Sequence, residues 1–193
     1  ISEKLLQDHV RKAEILLHGS FATTGIGHGT DKALIAGLLG MHPDDIRIPA
    51  SFDLAQKAGM EFTFSTVTLK DAHPNTAVLR LSGEHGRKIE VQAASIGGGR
   101  ILIAKLDGIE VNFTAEKPTL IVHNVDQPGH VAQVTTMLAE KQVNIATLQL
   151  YRDKRGGYAV MVIETDQEVP EESVTWLEQL DGIIKVTYIN VEE

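Results

Sequence analysis

The sequence predicts an α+β protein of two domains, the second with the βαββαβ order of a ferredoxin-like fold. Three observations support this prediction. Apolar residues recur at helical spacing in the first 60 residues. From Glu61 onward they alternate with polar residues, as in strands. After Ala115 a new pattern begins, which predicts a strand, a helix, two strands, a helix and a strand. We therefore predict domains at residues 1–115 and 118–193, separated by the segment AEKP.

Three helices are predicted in the first domain. The first covers residues 2–17, where the apolar positions fit one helical face: Leu5, Leu6, Val10, Ala13, Leu16 and Leu17. The stretch DKALIAGLLG predicts a second helix, with Thr30 or Asp31 as its N-cap and Gly40 at its end. SFDLAQKAG predicts a third helix with Ser51 as its N-cap.

Five strands follow, because the apolar period changes from helical spacing to two. They are EFTFSTVTL, TAVLRLSG, KIEVQAASIGGG, RILIAKLDG and IEVNF. Residues 83–86 predict a hairpin turn, and Asp107-Gly108 is a strong signal for a two-residue hairpin.

The second domain has a simple order of elements. TLIVHNV, NIATLQLYR, GYAVMVIETD and IIKVTYINV predict strands, while HVAQVTTMLAEKQ and VPEESVTWLEQLDG predict helices. Strand, helix, strand, strand, helix, strand in this order is the ferredoxin-like split βαβ arrangement.

Composition excludes several classes of function. The net charge of −8 argues against nucleic-acid binding, and no apolar run approaches the roughly 18 residues that cross a bilayer. The chain has no cysteine, so it forms no disulfide, has no thiol nucleophile and offers no thiolates to an iron–sulfur cluster. Its first residues mix apolar and charged side chains, unlike a signal peptide, and we expect a cytoplasmic protein.

Residues 18–31 read HGSFATTGIGHGTD and suggest four kinds of site. A P-loop does not fit, because no Lys-Ser or Lys-Thr pair stands in register after a glycine. A dinucleotide site does not fit either, because the spacing is G-x-G-x-G and we predict no βαβ unit around it. A metal site has only His18 and His28 and no third ligand, so we predict no metal on this chain. A capped turn ahead of a helix remains open.

Residues 118–191 resemble the ACT domain, a regulatory module of amino-acid metabolism. The resemblance rests on Asp126 at the end of a strand, the Pro128-Gly129 turn before a helix, and Asn144 before the next strand. In ACT domains that bind amino acids, this turn and strand start form an effector site between paired modules. The resemblance thus implies effector binding at Asp126, Gly129 and Asn144, and a homo-oligomer contact through strand edges. Alternatively, Asp126 and Asn144 are caps and the module only pairs chains.

Three stretches of the first domain, taken with the ACT-like segment, resemble the beta-chain family of iron–sulfur-dependent L-serine dehydratases. They are GSFATTGIGHGTDKALIAGLLG, HPNTAVLRL and SIGGGRI. The resemblance implies an L-serine ammonia-lyase of amino-acid metabolism and gluconeogenesis. A partner alpha chain holds a [4Fe-4S] cluster, and L-serine is converted to pyruvate and ammonia. The first domain is then similar to the allosteric substrate-binding domain of some phosphoglycerate dehydrogenases.

The same resemblance implies roles for single residues. His28 and Thr30 bind the substrate carboxylate or assist proton transfer, and Asn75 with His73 binds the substrate. Histidine titrates near neutral pH, and threonine and asparagine are neutral hydrogen-bonding groups, so the residue types suit these roles. Structural support for His28 and turn formation for Asn75 are the alternatives. We expect residues 97–99 to pack closely against the partner chain.

Two features differ from the family pattern. Its members usually begin with G-P-S-S-S-H-T, which is absent here, so we expect a segment before Ile1 to be missing. Ile26 stands where many relatives are expected to have a lysine. A different class of function also remains open: a non-catalytic subunit that senses serine or pairs chains.

Overall fold

The computed structural model describes residues 1–25 and 27–190. Ile26, with the lysine expectation attached to it, and residues 191–193, with the predicted end of the last strand, lie outside the described residues. Contacts divide the chain into two compact units, residues 1–107 and 108–193. The predicted domain boundary at residues 115–118 stays a prediction.

The first unit combines short helices with a sheet. Its elements are α1 (Ser2–Leu6), β1 (Val10–Leu17), α2 (Ser20–Thr23), α3 (Thr30–Leu38), a 3-10 turn (Ile48–Ala50), α4 (Ser51–Lys57), β2 (Glu61–Thr66), β3 (Thr76–Gly83), β4 (Lys88–Gly97) and β5 (Arg100–Leu106). Within this unit the strand order is β2-β1-β3-β4-β5. The next strand, β6 (Ile109–Phe113), belongs to residues 108–193. β1 runs parallel to β2 and antiparallel to β3, and β4 is antiparallel to both of its neighbours β3 and β5.

The predicted helix over residues 2–17 is wrong. α1 ends at Leu6, where Gln7 adopts a left-handed conformation with φ 55°, and residues 10–17 form the strand β1. In that strand Ala13, Ile15 and Leu17 are buried at every second position. The apolar residues fit both periods, and pairing with two neighbouring strands decides in favour of the strand.

The ends of the next two helices differ from the predicted caps. α3 starts after Gly29, which takes a left-handed conformation, and no side-chain hydrogen bond caps it among the described residues. Its predicted end is confirmed: Gly40 has φ 75°, and the Met41 N–H donates to Ala36 O at 3.0 Å, which is a Schellman motif. Ser51 is not the N-cap of α4, because the 3-10 turn runs directly into the helix; its buried hydroxyl donates to Lys32 O instead.

The glycine-rich segment does lie inside a βαβ unit, contrary to the prediction. The parallel strands β1 and β2 are connected through α2, α3 and α4. The sequence does not indicate this unit, because the apolar pattern of β1 also fits a helix. The glycine spacing still differs from the dinucleotide motif.

The second unit has the predicted ferredoxin-like fold. After β6 come β7 (Thr119–Val125), α5 (His130–Glu140), β8 (Ile145–Arg152), β9 (Tyr158–Thr165), α6 (Glu171–Glu178) and β10 (Ile183–Ile189), in the sheet order β10-β7-β9-β8. The helices pack on one face of the sheet around a buried apolar cluster that includes Val122, Leu138, Met161 and Leu177. The α+β fold class is therefore confirmed. None of the described helices is long and apolar enough to cross a membrane.

Candidate functional site

The segment 18–31 is a compact double turn between β1 and α3. Gly25 is buried, and a Cβ there would collide with the Phe21 carbonyl oxygen. The Thr30 N–H donates to Gly25 O at 2.8 Å and closes the second turn. Glycine at position 25 therefore lets the chain fold back on α2 and bring residues 27–29 to the surface.

Main-chain hydrogen bonds join this segment to the stretch at residues 73–76. The His18 N–H donates to Thr76 O at 2.9 Å, and the Ser20 N–H donates to Pro74 O at 2.8 Å. Gly19 between them has φ 57°, and a Cβ on it would lie 2.5 Å from Pro74 O. Only glycine permits this close approach.

The third stretch joins the same place. The Ser95 N–H donates to Asn75 O at 2.9 Å, and Thr76 pairs with Ala94 in the β3–β4 ladder. The three stretches that carried the family resemblance thus meet through backbone contacts. Gly97, Gly98 and Gly99 form the exposed β4–β5 turn, all with positive φ, and their expected packing against a partner stays a prediction.

His28 is exposed on this surface and held by its own segment. Its Nδ1 lies 2.8 Å from Thr24 O. A carbonyl oxygen only accepts hydrogen bonds, so Nδ1 carries the proton, and in the neutral ring the lone pair is on Nε2. The side chain is oriented to present an acceptor nitrogen to solvent.

His73 takes the opposite tautomer when neutral. The Asn75 N–H donates to His73 Nδ1 at 3.1 Å, so the ring proton is on Nε2. The Thr30 hydroxyl and the Asn75 amide make no side-chain hydrogen bond to a described residue. His28 and Thr30 belong to one turn, and His73 and Asn75 to the other; the contacts that connect the two turns run through His18, Gly19 and Ser20.

The carboxylate of Asp126 is hydrogen-bonded to residues of its own module. The carboxylate accepts hydrogen bonds from the Gly156 N–H at 2.9 Å and from Arg152 at 3.2 Å. The Gly156 N–H, followed by Arg152, lowers the pKa of Asp126. Asp126 therefore holds the β8–β9 turn against the end of β7.

Asn144 lies at the other end of the same sheet. Its side-chain amide donates to Asp166, lowering the pKa of that carboxyl together with Lys117. β7 separates the two ends by about 20 Å. Gly129 is next to Asp126, with φ 107° and open space around it, and forms the N-cap of α5. One chain thus does not bring Asn144 to Asp126 and Gly129.

No group of three or more histidine, aspartate or glutamate side chains positioned to hold a metal ion occurs in the part of the chain that the structure describes. His18, half-buried, is used otherwise: the Leu69 N–H lies 3.2 Å from its Nδ1 and Val67 O lies 3.3 Å from it. His18 therefore ties the β2–β3 loop to the end of β1.

Comparison with known proteins decides the family. The chain is 33% identical over 192 residues to the L-serine dehydratase beta chain of Peptoniphilus asaccharolyticus, covering 99% of this chain and 86% of that one. It is 37% identical over 175 residues to the probable L-serine dehydratase beta chain of Bacillus subtilis, covering 91% and 79%. The chain belongs to the family of L-serine dehydratase beta chains.

Other matches cover parts of this beta-chain family member. The profile of the family described as serine dehydratase beta chain matches residues 1–59, and that of the ACT domain matches residues 118–182. The D-3-phosphoglycerate dehydrogenase of Methanocaldococcus jannaschii is 29% identical over 145 residues, covering 69% of this chain and 28% of that protein. The resemblances to the dehydratase family and to the ACT domain are confirmed.

The sequence does not indicate the structural roles of three residues that build the site. His18 and Gly19 join the turns, and Gly25 folds the loop. The sequence suggests His18 only as a metal ligand, and a helix over residues 10–17 places His18 and Gly19 at a helix end. The signal available was the triplet HGS directly after an apolar run that also alternates at period two.

Proposed function

We propose that this chain supplies part of the active site of an L-serine dehydratase, with an alpha chain that holds a [4Fe-4S] cluster. The relatives named beta chains support a two-chain enzyme. The described residues do not fit the cluster as ligands, since they contain neither cysteine nor a metal-binding group. We therefore assign no step to a metal on this chain.

The reaction proposed is loss of ammonia from L-serine. Serine loses its α-proton and its β-hydroxyl group as water, leaving an enamine. The enamine tautomerises to an imine, which a second water hydrolyses to pyruvate and ammonia. A cluster on the alpha chain would assist departure of the hydroxyl group by binding it as a Lewis acid.

The observation that supports this function best is the orientation of His28. Because Nδ1 donates to Thr24 O, Nε2 is the free nitrogen and suits acceptance of a proton from substrate. His73, with its proton on Nε2, is suited to donate a hydrogen bond to the substrate carboxylate. The uncommitted Thr30 hydroxyl and Asn75 amide add neutral groups for the same carboxylate or for the ammonium group.

Substitution of His28 tests this role. In the complex with the alpha chain, His28→Ala is expected to lower kcat for serine deamination by about 10²- to 10⁴-fold, because general-base catalysis contributes that range. The matched control is His42→Ala, an exposed histidine in the loop before the 3-10 turn, which should leave kcat unchanged. Unchanged deamination by His28→Ala contradicts the proposed role.

For the ACT module we infer an effector site between two copies of the chain. Asp126 and Asn144 lie at opposite ends of one sheet, so a site that uses both requires Asp126 and Gly129 from one copy and Asn144 from another. β8 is an edge strand of that sheet and carries Leu150, 46% exposed, which favours edge pairing.

The two-copy site is tested by molar mass and by amino-acid titration. Light scattering should show an oligomer, and Asn144→Ala should weaken L-serine binding to the isolated chain as much as Asp126→Asn does. A monomer that binds L-serine with unchanged affinity in both variants rules out this site.

A further inference from the structure

A groove of about 630 Å³ runs between α5 and α6 on the helical side of the second unit. Its walls come from one face of each helix, since Ala132, Thr136 and Glu140 follow each other at four-residue intervals, as do Glu172 and Trp176. The volume lies within the range of small-molecule sites, and all lining residues belong to this one module. We call this feature the helix groove.

An aromatic side chain forms one wall of the helix groove. Trp176 is the only tryptophan of the chain, and 44% of it is exposed although its neighbour Leu177 is fully buried. Met137, 5% exposed, lies on the opposite helix and lines the same space. A large apolar surface left open beside a concavity is typical of a place where a ligand packs.

A buried hydroxyl lacks a partner at the same place. Ser173 lines the helix groove and is 1% exposed, and its Oγ makes no hydrogen bond to any described residue. Buried polar atoms are nearly always paired, and leaving one unpaired costs free energy. A ligand that hydrogen-bonds to Ser173 removes that cost.

The charge of the residues that line the helix groove indicates the charge of the ligand. Lys141 Nζ lies 3.2 Å from Glu172 and neutralises it, whereas Glu140 has no ion pair among the described residues. Two glutamates and one lysine leave the lining with one net negative charge. A second copy of this chain, with its own net charge of −8, is a poor match for this surface.

We propose that the helix groove binds a small organic cation, a primary ammonium group joined to an apolar body. The apolar body packs on Trp176 and Met137, while the ammonium group lies near Glu140 and donates a hydrogen bond to Ser173 Oγ. Attraction between a cation and the face of an indole ring adds to binding. This site is separate from Asp126, Gly129 and Asn144 and does not depend on the proposed catalytic function.

The single tryptophan makes the test direct. Emission of Trp176 in the full chain is followed while n-hexylammonium, hexanoate or hexanol is added. A saturable change with hexylammonium, at a dissociation constant at least ten-fold lower than for hexanoate or hexanol, supports the proposal. No saturable change, or equal affinity for hexanoate, overturns it.

Two pairs of variants locate the binding. Ala132→Phe fills the helix groove and should abolish the response, whereas Ala139→Phe, at an exposed position of α5 outside the groove, should preserve it. Glu140→Gln should raise the dissociation constant about ten-fold, and Glu178→Gln, exposed on α6, should not change it. Equal effects within either pair contradict the site. Emission that depends on protein concentration and is unaffected by hexylammonium would show that another copy covers the groove, which also overturns the proposal.

Discussion

Gly19 shows how a single missing side chain can bring two parts of a site together. Its backbone is left-handed, and the space of a Cβ is taken by the carbonyl group of Pro74. Two separate costs therefore oppose any larger residue there, one conformational and one steric.

These two costs can be separated by experiment. Gly86 also has positive φ, but open space surrounds it. Gly86→Ala should therefore lower the free energy of unfolding by about 1–2 kcal/mol, the conformational cost alone, and Gly19→Ala should lower it by clearly more. Urea unfolding of both variants checks this. Equal losses would mean that the Pro74 contact contributes nothing.

The contact between His85 and Asp8 predicts a pH-dependent stability. The Asp8 side chain is 1% exposed, and its carboxylate accepts hydrogen bonds from both the backbone N–H and the Nδ1 of His85. The Asp8 carboxylate raises the pKa of His85. Although burial opposes it, hydrogen bonding from His85 lowers the pKa of Asp8. Both groups are then charged between about pH 4 and 6.5, the ordinary values of aspartate and histidine.

The sign of the effect follows from linkage. The raised pKa of His85 contributes its full stability at pH values below the pKa that the histidine has in the unfolded chain. This contribution is lost as the pH rises through the pKa that it has in the folded protein. The lowered pKa of Asp8 contributes stability above the pKa that Asp8 has in the unfolded chain. This contribution is lost as the pH falls through the pKa that Asp8 has in the folded protein. The stability difference between the protein and His85→Gln should thus be larger at about pH 5.5 than at about pH 8.5. His42→Gln serves as control; a difference that does not vary with pH refutes the assignment.

Side-chain orientation within the site was beyond sequence reasoning. The family resemblance pointed to His28 and His73, but the tautomers depend on Thr24 O and the Asn75 N–H, which the fold brings into place. Residue type indicates which group can titrate, whereas the contact indicates which nitrogen carries the proton.

At the scale of elements, the sequence predicts a turn correctly where the turn requires a particular residue type. Asp107 and Gly108 both have positive φ and connect β5 to β6, as predicted. The sequence does not predict the strand β1, because its apolar residues fit both the helical spacing and the alternation of a strand. Partners distant in sequence, β2 and β3, decide that element.

Helix α3 offers a contrast between two glycines. Gly37 lies within the helix, exposed and with open space around it, whereas Gly40 ends it with φ 75°. Gly37→Ala should raise the free energy of unfolding by about 0.5–1 kcal/mol, since alanine loses less backbone entropy. Gly40→Ala should lower it by about 1 kcal/mol or more. Chemical denaturation of the two variants tests both signs, and a stabilising Gly40→Ala would contradict the left-handed cap.

At the scale of the whole molecule, the order of strands and helices in the second unit followed from sequence alone. That part has short turns and unambiguous periods. The start of the second domain at residue 118 stays a prediction, and contacts group β6 with residues 108–193. Val111, Phe113 and Ala115 are buried, and the Asn112 backbone N–H donates to the Tyr151 hydroxyl at 3.1 Å.

Fragments can decide where the second domain starts. Residues 108–193 are expected to melt at a higher temperature than residues 118–193, because the shorter fragment lacks β6 and its contact with Tyr151. Circular dichroism of the two fragments gives the comparison, with Tyr151→Phe in the longer one as a control for the hydroxyl contact. Equal melting temperatures would favour the predicted boundary at residues 115–118.

The backbone contacts of His18, Ser20 and Ser95 also have a consequence for access to the site. All three amide protons are held by carbonyl groups of residues 74–76, so they should exchange with solvent deuterium together and slowly. In the part of the chain that the structure describes, the hydrogen bonds of residues 27–29 stay within their own turns. For the proposed active site we therefore predict that access of substrate depends on movement of the His28 turn rather than on a hinge between the segments that meet at Pro74.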